Sequence, residues 1–352
     1  MSVSRIAEKA GVSIATVSRV INNSRPVNPK MAELVRKAME ELQLPPRQIR
    51  RRNRIKATDR HTTIAIVSLG ASYRGWFEIP VIAGVVAELT RTAQDQQMGV
   101  LMTEMPDPDQ LSPVLRRQEV DGALVFVSAG LKPQAVHVLR AHLPVVRVMG
   151  GQMAPVEIDH IDADNNAVGY LAGDHLIRRG VRRLAYLTTR PEWDFSKLRA
   201  QGFMRAAEDA GVEPTMYLAC EPCPAIGFYG PNAVTARELT TLLARVAEAS
   251  RQEPIGLFVS RDEETVQVYR VLRELGIEPG SAIQIVSCDN ETVRLSTLHP
   301  RPASIDLVAT EIARHAIRRL AARIKHRDEP PARILITPRL VVSEAAVTPT
   351  TF

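Results

Sequence analysis

The segment 12–22 near the start of the chain most constrains what the chain can fold into. At helical spacing Val17, Val20 and Ile21 share an apolar face, and Ser13 stands where a side chain caps the first free amides. A helix this short is unstable alone in water, so its apolar face must dock on a neighbour. Residues 3–10 provide a second apolar stripe, and Gly11 permits a tight turn between the two. The pattern predicts a helix-turn-helix.

A third helix completes this unit. Asn28 as the cap and Pro29 at the first helical position mark its start. Its apolar positions are expected to face inward, and they are Met31, Leu34, Val35, Ala38, Met39 and Leu42. Two prolines then end the helix, so residues 1–44 are predicted to form a three-helix domain and residues 45–61 a basic hinge.

Charge is concentrated at the start of the 352-residue chain. Residues 1–60 hold fourteen Lys and Arg against five Asp and Glu, a net of +9, whereas the whole chain is +6 and the rest is therefore −3. Neutralising the phosphates of a nucleic acid releases counterions and supplies most non-specific affinity. The charge pattern therefore favours a nucleic-acid partner for residues 1–60. It excludes the rest of the chain as a surface that binds nucleic acid.

Strand and helix patterns alternate from residue 62 to residue 352, which is typical of parallel α/β units. The predicted fold is a small all-α headpiece followed by an α/β body of two doubly wound subdomains. The chain contains no apolar run of membrane length and no apolar core of a signal peptide. Its three cysteines are an odd number, which agrees with a reducing compartment. We therefore predict a cytoplasmic protein.

Aromatic and polar side chains follow several predicted strands. Ligands of open α/β sheets lie beyond the carboxyl ends of the strands. Rings, carboxylates and guanidinium groups together suit a polyhydroxylated ligand. The candidate ligand-binding residues are Tyr73, Trp76, Phe77, Asp164, Arg199, Arg261 and Asp289. Two of them have an alternative, since Trp76 is equally placed to anchor a core and Asp289 to fix a chain crossing.

Catalytic motifs are absent from the sequence. It contains no G-x-S-x-G, no phosphate-binding G-x-x-x-x-G-K-[ST] and no G-x-G-x-x-G. Cys220 and Cys223 have the spacing of half a metal site, but no second pair completes it, which favours a structural role. We predict no catalytic residue, no metal site and no cofactor.

The motif A-G-V-S-x-x-T-V-S-R-V-I-N at residues 10–22 resembles the headpiece of the LacI/GalR family of bacterial transcription regulators. The resemblance implies that the second helix enters the major groove and reads bases through Ile14, Ala15 and Arg19. Only Arg19 can hydrogen-bond to a base edge, and its alternative partner is a phosphate. Contacts to the DNA backbone are expected from Ser4, Ser13, Thr16, Ser18, Asn22 and Asn23.

The basic segment occupies the family's hinge position but departs from its pattern. Similar proteins form a hinge helix on DNA and insert a leucine into the minor groove. Alignment on Pro46 places Asn53 at that leucine, and an amide cannot act as an apolar wedge. We expect arginines to clamp a narrow minor groove, with Ile55 as a displaced wedge; the alternative is a solvated linker. The hinge residues concerned are Arg47, Arg50, Arg51, Asn53, Arg54 and Ile55.

For the body, the resemblance implies the fold of type I periplasmic binding proteins, with two subdomains, three crossovers and a ligand between them. The expected first subdomain spans about 62–160 plus 291–322, and the second about 161–290 plus 323–345. Family matches fall on Asp164, Arg199 and Asp289. Arg261 stands where similar sugar regulators carry asparagine, which suggests a carboxylated or phosphorylated effector.

The prediction is an effector-responsive regulator that binds operator DNA as a homodimer, a repressor without enzymatic activity whose effector is a sugar or sugar derivative. Two alternatives stay open. A solute-binding transport protein accounts for the body, but it does not account for the headpiece. A non-specific architectural DNA binder accounts for the hinge arginines and predicts little sequence preference and no effector response.

Overall fold

The structure is a computed structural model that describes residues 3–22, 27–41, 62–70, 72–117, 119–127, 136–151, 158–218 and 233–342. The chain divides into two compact units, residues 1–61 and residues 62–352. We refer to them as the headpiece and the body.

Three helices make up the described part of the headpiece: α1 (Val3–Ala10), α2 (Ile14–Asn22) and α3 (Pro29–Glu41). Gly11 turns the chain with φ +64°, and the Asn28 side chain accepts from the Lys30 amide at 3.0 Å, as the sequence predicted. A small core buries Ile6, Ala7, Ala10, Val17, Val35 and Ala38.

The inward face of α3 is narrower than predicted. Val35, Ala38 and Met39 face the core, but Met31 and Leu34 are about half exposed. With only two short helices to cover it, α3 buries a single stripe, and apolar residues that flank the stripe stay in solvent.

The first sheet of the body is parallel, in the order β11-β5-β4-β3-β1-β2. Its central strands at residues 63–69, 122–127 and 145–148 are mostly apolar because helices cover both faces of the sheet. They are β1 (Thr63–Leu69), β2 (Gly99–Met105), β3 (Gly122–Val127), β4 (Val145–Val148), β5 (Asp159–Ala163) and β11 (Arg333–Ile336). Its helices are a 3₁₀ helix (Tyr73–Glu78), α4 (Pro80–Asp95), α5 (Pro113–Arg116), α6 (His137–Arg140) and α12 (Ala309–Lys325).

The second sheet has the order β12-β10-β9-β8-β6-β7 and is parallel except for the β10–β12 pair. Its strands are β6 (Arg183–Thr188), β7 (Thr215–Leu218), β8 (Ile255–Val259), β9 (Ile283–Cys288), β10 (Ala303–Asp306) and β12 (Arg339–Val341). Its helices are α7 (Asn165–Arg178), α8 (Asp194–Asp209), α9 (Ala233–Ser250), α10 (Asp262–Glu274) and α11 (Thr292–Leu295). The predicted helix stops at Gly180, Gly211 and Gly276 all have positive φ.

The chain passes between the two sheets after β5, after β10 and after β11. The subdomain bounds therefore differ from the predicted ones. Residues 303–306 pair with β9 in the second sheet, whereas 161–163 and 333–336 pair in the first. The reason is that backbone pairing assigns a short strand to a sheet, and its own sequence does not show which edge it will join.

Helices α7 and α8 touch backbone to backbone. A Cβ at Gly169 would lie 1.8 Å from the Arg199 carbonyl oxygen, and one at Gly202 would lie 1.9 Å from the Asn166 carbonyl oxygen. No side chain fits at either position, so glycine is required for this approach. The contact fixes the start of α7 against the Arg199 turn of α8 and so positions the side chains at the edge of the second sheet.

Candidate functional site

The exposed face of α2 holds the predicted base-reading residues. Ile14 is 57% exposed, Ala15 and Arg19 are exposed as well, and Val17 is fully buried on the opposite side. Ala15 and Arg19 are four residues apart, so their side chains are neighbours on one face. The helix therefore presents one guanidinium group beside a small apolar surface.

The start of α2 is fixed by its cap. Ser13 Oγ accepts from the Thr16 amide at 3.1 Å and lies 2.8 Å from the Thr16 hydroxyl. The predicted cap is therefore confirmed, and it occupies Ser13 and Thr16 with each other in the free protein. The side chains of Ser4, Ser18 and Asn22, and the whole of Asn23, lie outside the described residues. The predicted hinge residues Arg47, Arg50, Arg51, Asn53, Arg54 and Ile55 lie outside them too.

In the body, Arg199 is the centre of the predicted ligand site. It is 3% exposed and reaches three segments that are distant in the sequence. Its Nε donates to Asn165 Oδ1 at 3.0 Å, its Nη1 donates to the Ser260 carbonyl, and its Nη2 lies 3.4 Å from Asp289 Oδ1. The structure thus joins two of the candidate ligand-binding residues, Arg199 and Asp289, at the carboxyl ends of β8 and β9.

The Asp289 carboxyl is almost fully buried. Burial raises its pKa to about 6, although the charge of Arg199 favours the ionised form. Asp289 also has a left-handed backbone, with φ +105°, and its amide donates to the Ile305 carbonyl at 2.9 Å. The amide thus continues the pairing of β9 with β10, and the carboxylate holds Arg199.

The remaining predicted residues are dispersed. Asp164 caps α7, since its side chain accepts from the Ala167 amide at 3.0 Å. Trp76 is 1% exposed and packs on Phe126 with the ring centroids 4.9 Å apart, so it is a core anchor and we withdraw it as a ligand-stacking residue. Phe77 is 61% exposed, and the side chain of Tyr73 lies outside the described residues.

Arg261 adds less positive charge than the sequence suggested. Its Nη1 and Nη2 donate to Glu263 at 3.1 Å and Glu264 at 3.0 Å, so its charge is offset within its own helix turn. Arg261, which stands where similar sugar regulators carry asparagine, thus forms ion pairs within the protein. An anionic ligand therefore needs a cation other than Arg261.

Sequence reasoning missed an aromatic wall on the loop after β6. Trp193 and Phe195 pack edge to face at 5.2 Å. The guanidinium carbons of Arg190 and Arg261 lie 5.3 and 5.2 Å from the Trp193 ring centre, and that of Arg199 lies 4.9 Å from the Phe195 ring centre. The available signal was a tryptophan a few residues after a strand, in a chain with only two.

A glycine turn brings the first subdomain onto this wall. Gly151 follows β4 with φ +80°, and a Cβ there would lie 2.7 Å from Asp194 Cβ and 2.8 Å from the Phe195 amide nitrogen. The Gly151 amide also donates to Asp162 Oδ2 at 2.8 Å. Trp193 and Phe195 therefore lie at the cleft between the subdomains, where the strands of both sheets end.

The first-subdomain side of the cleft holds three buried titratable groups at the ends of β4 and β5. Burial lowers the pKa of His160 to about 3 and raises that of Asp162 to about 6. Burial also lowers the pKa of Arg147, whose Nη2 donates to the Gly150 carbonyl at 2.9 Å. His160 is therefore neutral at physiological pH. Its Nε2 lies 3.2 Å from the Met149 carbonyl, so that nitrogen carries the proton.

A second contact spans the cleft at Glu291. Its Oε1 accepts from the Val81 amide at the start of α4 at 3.2 Å, and its other oxygen pairs with Arg294. Glu291 belongs to the second subdomain and Val81 to the first. A carboxylate at the amino end of α4 is favoured by the helix dipole, so this contact helps to hold the two subdomains together.

The described residues contain no group of three or more metal-binding side chains and no helix long and apolar enough to cross a membrane. Cys220 and Cys223, for which the sequence favours a structural role, lie outside them. In the part that the structure describes, the site consists of arginines, carboxylates and aromatic rings, an arrangement suited to binding.

Comparison with known proteins covers both units. Residues 3–46 match the family described as bacterial regulatory proteins, lacI family. Residues 68–227 match periplasmic binding proteins and sugar binding domain of LacI family, and residues 173–344 match a periplasmic binding protein-like domain. These matches follow the boundary between headpiece and body.

Similar proteins extend over nearly the whole chain. The HTH-type transcriptional repressor PurR of Mannheimia succiniciproducens is 27% identical over 349 residues, which are 97% of each chain. The HTH-type transcriptional regulator CelR of Thermobifida fusca is 28% identical and covers 97% of this chain and 96% of its own. A solved CelR–cellobiose complex has a TM-score of 0.62 at 23% identity and covers 98% and 99% of the two chains.

Proposed function

Because this chain belongs to the LacI family of bacterial regulatory proteins, we propose that it binds operator DNA as a homodimer and that a small molecule in the cleft of the body modulates this binding. The chain is a DNA-binding transcription regulator, and we propose that it acts as a repressor. One observation carries the DNA interface: Ile14, Ala15 and Arg19 share the exposed face of a helix that Val17 anchors.

We propose specific roles within the headpiece. Arg19 reads a guanine through its O6 and N7, and Ile14 and Ala15 contact thymine methyl groups, since only Arg19 carries hydrogen-bond donors. The six predicted backbone residues hold the DNA phosphates. The hinge arginines clamp the minor groove, a role that rests on the charge of segment 45–61.

The proposed effector site is the cleft beside Arg199, Asp289 and the Trp193–Phe195 wall. Each subdomain contributes part of it, so a ligand there favours one arrangement of the subdomains over another. A change in that arrangement alters how two bodies face each other in the dimer, and thereby the spacing of the two headpieces. The CelR–cellobiose complex is named for a sugar ligand, which supports a sugar or sugar derivative here. The predicted cytoplasmic location belongs to the same proposal.

The proposal is tested with the purified full chain. Its mass in solution is measured by sedimentation, and a preferred operator is selected from random DNA and assayed by fluorescence anisotropy. We expect a dimer, a near-palindromic operator and an affinity that changes when one metabolite of a broad panel is added. A dimer whose operator affinity is unchanged by every metabolite that binds the body would contradict it.

The same assays separate the alternatives. An architectural binder would select no preferred DNA sequence, because shape and charge alone would determine its affinity. A transport binding protein would bind its solute but no DNA. Both outcomes are distinct from the selected operator and the effector response that we expect.

A further inference from the structure

Arg190 is a buried cation without a described partner. It follows β6 at the rim of the cleft and is 8% exposed. Its Nε has no hydrogen-bond partner, and within the described residues its guanidinium group makes no ion pair and packs only over Trp193. The nearby carboxylates are engaged, since Glu264 pairs with Arg261 and Asp289 with Arg199.

A guanidinium group in this position needs an anion. Removing a charge from water without a compensating partner costs several kcal/mol, so buried arginines are normally paired. The group with the best geometry for a guanidinium is a carboxylate or a phosphate, which accepts two parallel hydrogen bonds. Glu264 bonds Arg261 and Thr189 through Oε1 and makes no ion pair with Arg190, so the partner of Arg190 comes from outside the described residues.

Glu264 carries a matching acceptor at the same rim. Its Oε1 accepts from the Thr189 amide at 2.9 Å and from the Thr189 hydroxyl at 2.5 Å, whereas its Oε2 is buried and has no partner in the described part of the chain. An ionised carboxylate oxygen can only accept, so its ligand must be a donor such as a hydroxyl group. Arg190 and Arg261 contact the same Trp193 ring, and Arg261 pairs with Glu264, so the unpaired acceptor and the unpaired cation belong to one cluster.

A second guanidinium group with few hydrogen bonds lies on the opposite side of the cleft. Arg147 of the first subdomain is buried, its Nε has no partner, and its only described hydrogen bond is the one to the Gly150 carbonyl. The Gly151 turn that follows touches Asp194 and Phe195 of the second subdomain. Both walls of the cleft therefore present incompletely bonded guanidinium groups.

We propose that the effector is a polyhydroxylated anion, a sugar acid or a sugar phosphate, whose charged group binds Arg190 and one of whose hydroxyl groups donates to Glu264. The inference rests on the proposed function and specifies its ligand. The charge that selects the ligand comes from Arg190, since that of Arg261 is offset by Glu263 and Glu264.

The test is direct binding to the full chain. D-gluconate and D-glucose 6-phosphate are titrated by calorimetry and thermal shift, with D-glucose as the neutral parent. We expect one anion to bind at least about tenfold more tightly than glucose, because charge-assisted hydrogen bonds are stronger than those between neutral groups. The two anionic arms separate a carboxylate from a phosphate.

Single substitutions test whether Arg190 supplies the positive charge that binds the anion. R190Q is expected to reduce anion affinity at least about tenfold, and R190K, which keeps the charge but not the fork, is expected to lie between R190Q and the wild type. R205Q on the exposed side of α8 removes the same charge and is expected to change nothing. A cooperative thermal unfolding transition of R190Q near the wild-type midpoint, measured without ligand, shows that the variant folds.

Each of the following results overturns the inference. If glucose binds as tightly as the anions, or R190Q binds the anions like the wild type, the anionic effector is wrong while regulation by a small molecule stands. If no compound in either arm binds but another metabolite of the broad panel changes operator affinity, the inference fails and the proposed function again survives. Failure of the whole panel overturns both.

Discussion

The headpiece and the cleft both present arginine for recognition, but they hold it in opposite ways. Arg19 projects from the exposed face of a nine-residue helix, and its conformation depends on α2 alone. Arg199 is buried among Asn165, Ser260 and Asp289, which come from three separate segments. A change at Arg19 should therefore alter binding and leave folding intact, whereas a change at Arg199 should alter both.

The largest expected effect follows from removing Arg199. Arg199→Gln leaves the Asp289 carboxyl buried without its cation, and loss of one partner of a buried ion pair costs about 3–5 kcal/mol. We expect the free energy of unfolding of the body, measured by urea denaturation, to fall by that amount. Arg205→Gln on the exposed side of α8 is the control. A loss below about 1 kcal/mol would place Arg199 with ordinary surface charges.

Replacing Gly202 tests the close packing of α7 on α8, which positions Arg199. Gly202→Ala forces α7 and α8 apart, because its Cβ would lie 1.9 Å from the Asn166 carbonyl oxygen, and overpacking typically costs about 1–3 kcal/mol. Gly84→Ala in α4 is the matched control, since nothing lies within 4 Å of its Cβ, and it should stabilise slightly. Equal denaturation midpoints for the two variants would contradict the close packing of α7 and α8.

Local signals in the sequence were reliable where one segment determines the structure. Ser13 caps α2 and Asn28 caps α3, because a cap depends on residues two or three positions away. The Asp-Asn and Arg-x-x-Gly matches placed Asp164 and Arg199 at the strand ends. These features combine short-range physics with a long motif.

Features that depend on distant partners were not predictable from one sequence. Trp76 is in the core because it packs on Phe126 of β3, which is distant in the sequence. The ion pairs of Arg261 with Glu263 and Glu264, by contrast, are local, and the sequence analysis overlooked them. Strands β10 and β11 could be assigned only by pairing. Trp193 was missed because its role comes from guanidinium groups at positions 190 and 261, which the fold brings together.

A smaller effect is expected at the DNA surface. Arg19→Ala should weaken binding to the selected operator by about 1–3 kcal/mol and relax the preference at one base pair, because a bidentate contact to guanine is lost. Arg36→Ala on the exposed side of α3 removes the same charge from the headpiece and should weaken all DNA sequences equally. Anisotropy on operators with single substitutions distinguishes them. If Arg19→Ala also weakens all sequences equally, Arg19 contacts a phosphate.

The smallest effect should appear at the cap of α2. Ser13→Ala removes the acceptor of the Thr16 amide, which costs about 1 kcal/mol, and Ser13→Thr retains it. Hydrogen exchange of α2 amides should become about fivefold faster in the alanine variant, while the body exchanges as before, because the two units fold around separate cores. Faster exchange in the body would mean that the stabilities of the two units are coupled. The conformation of Arg19 would then not depend on α2 alone.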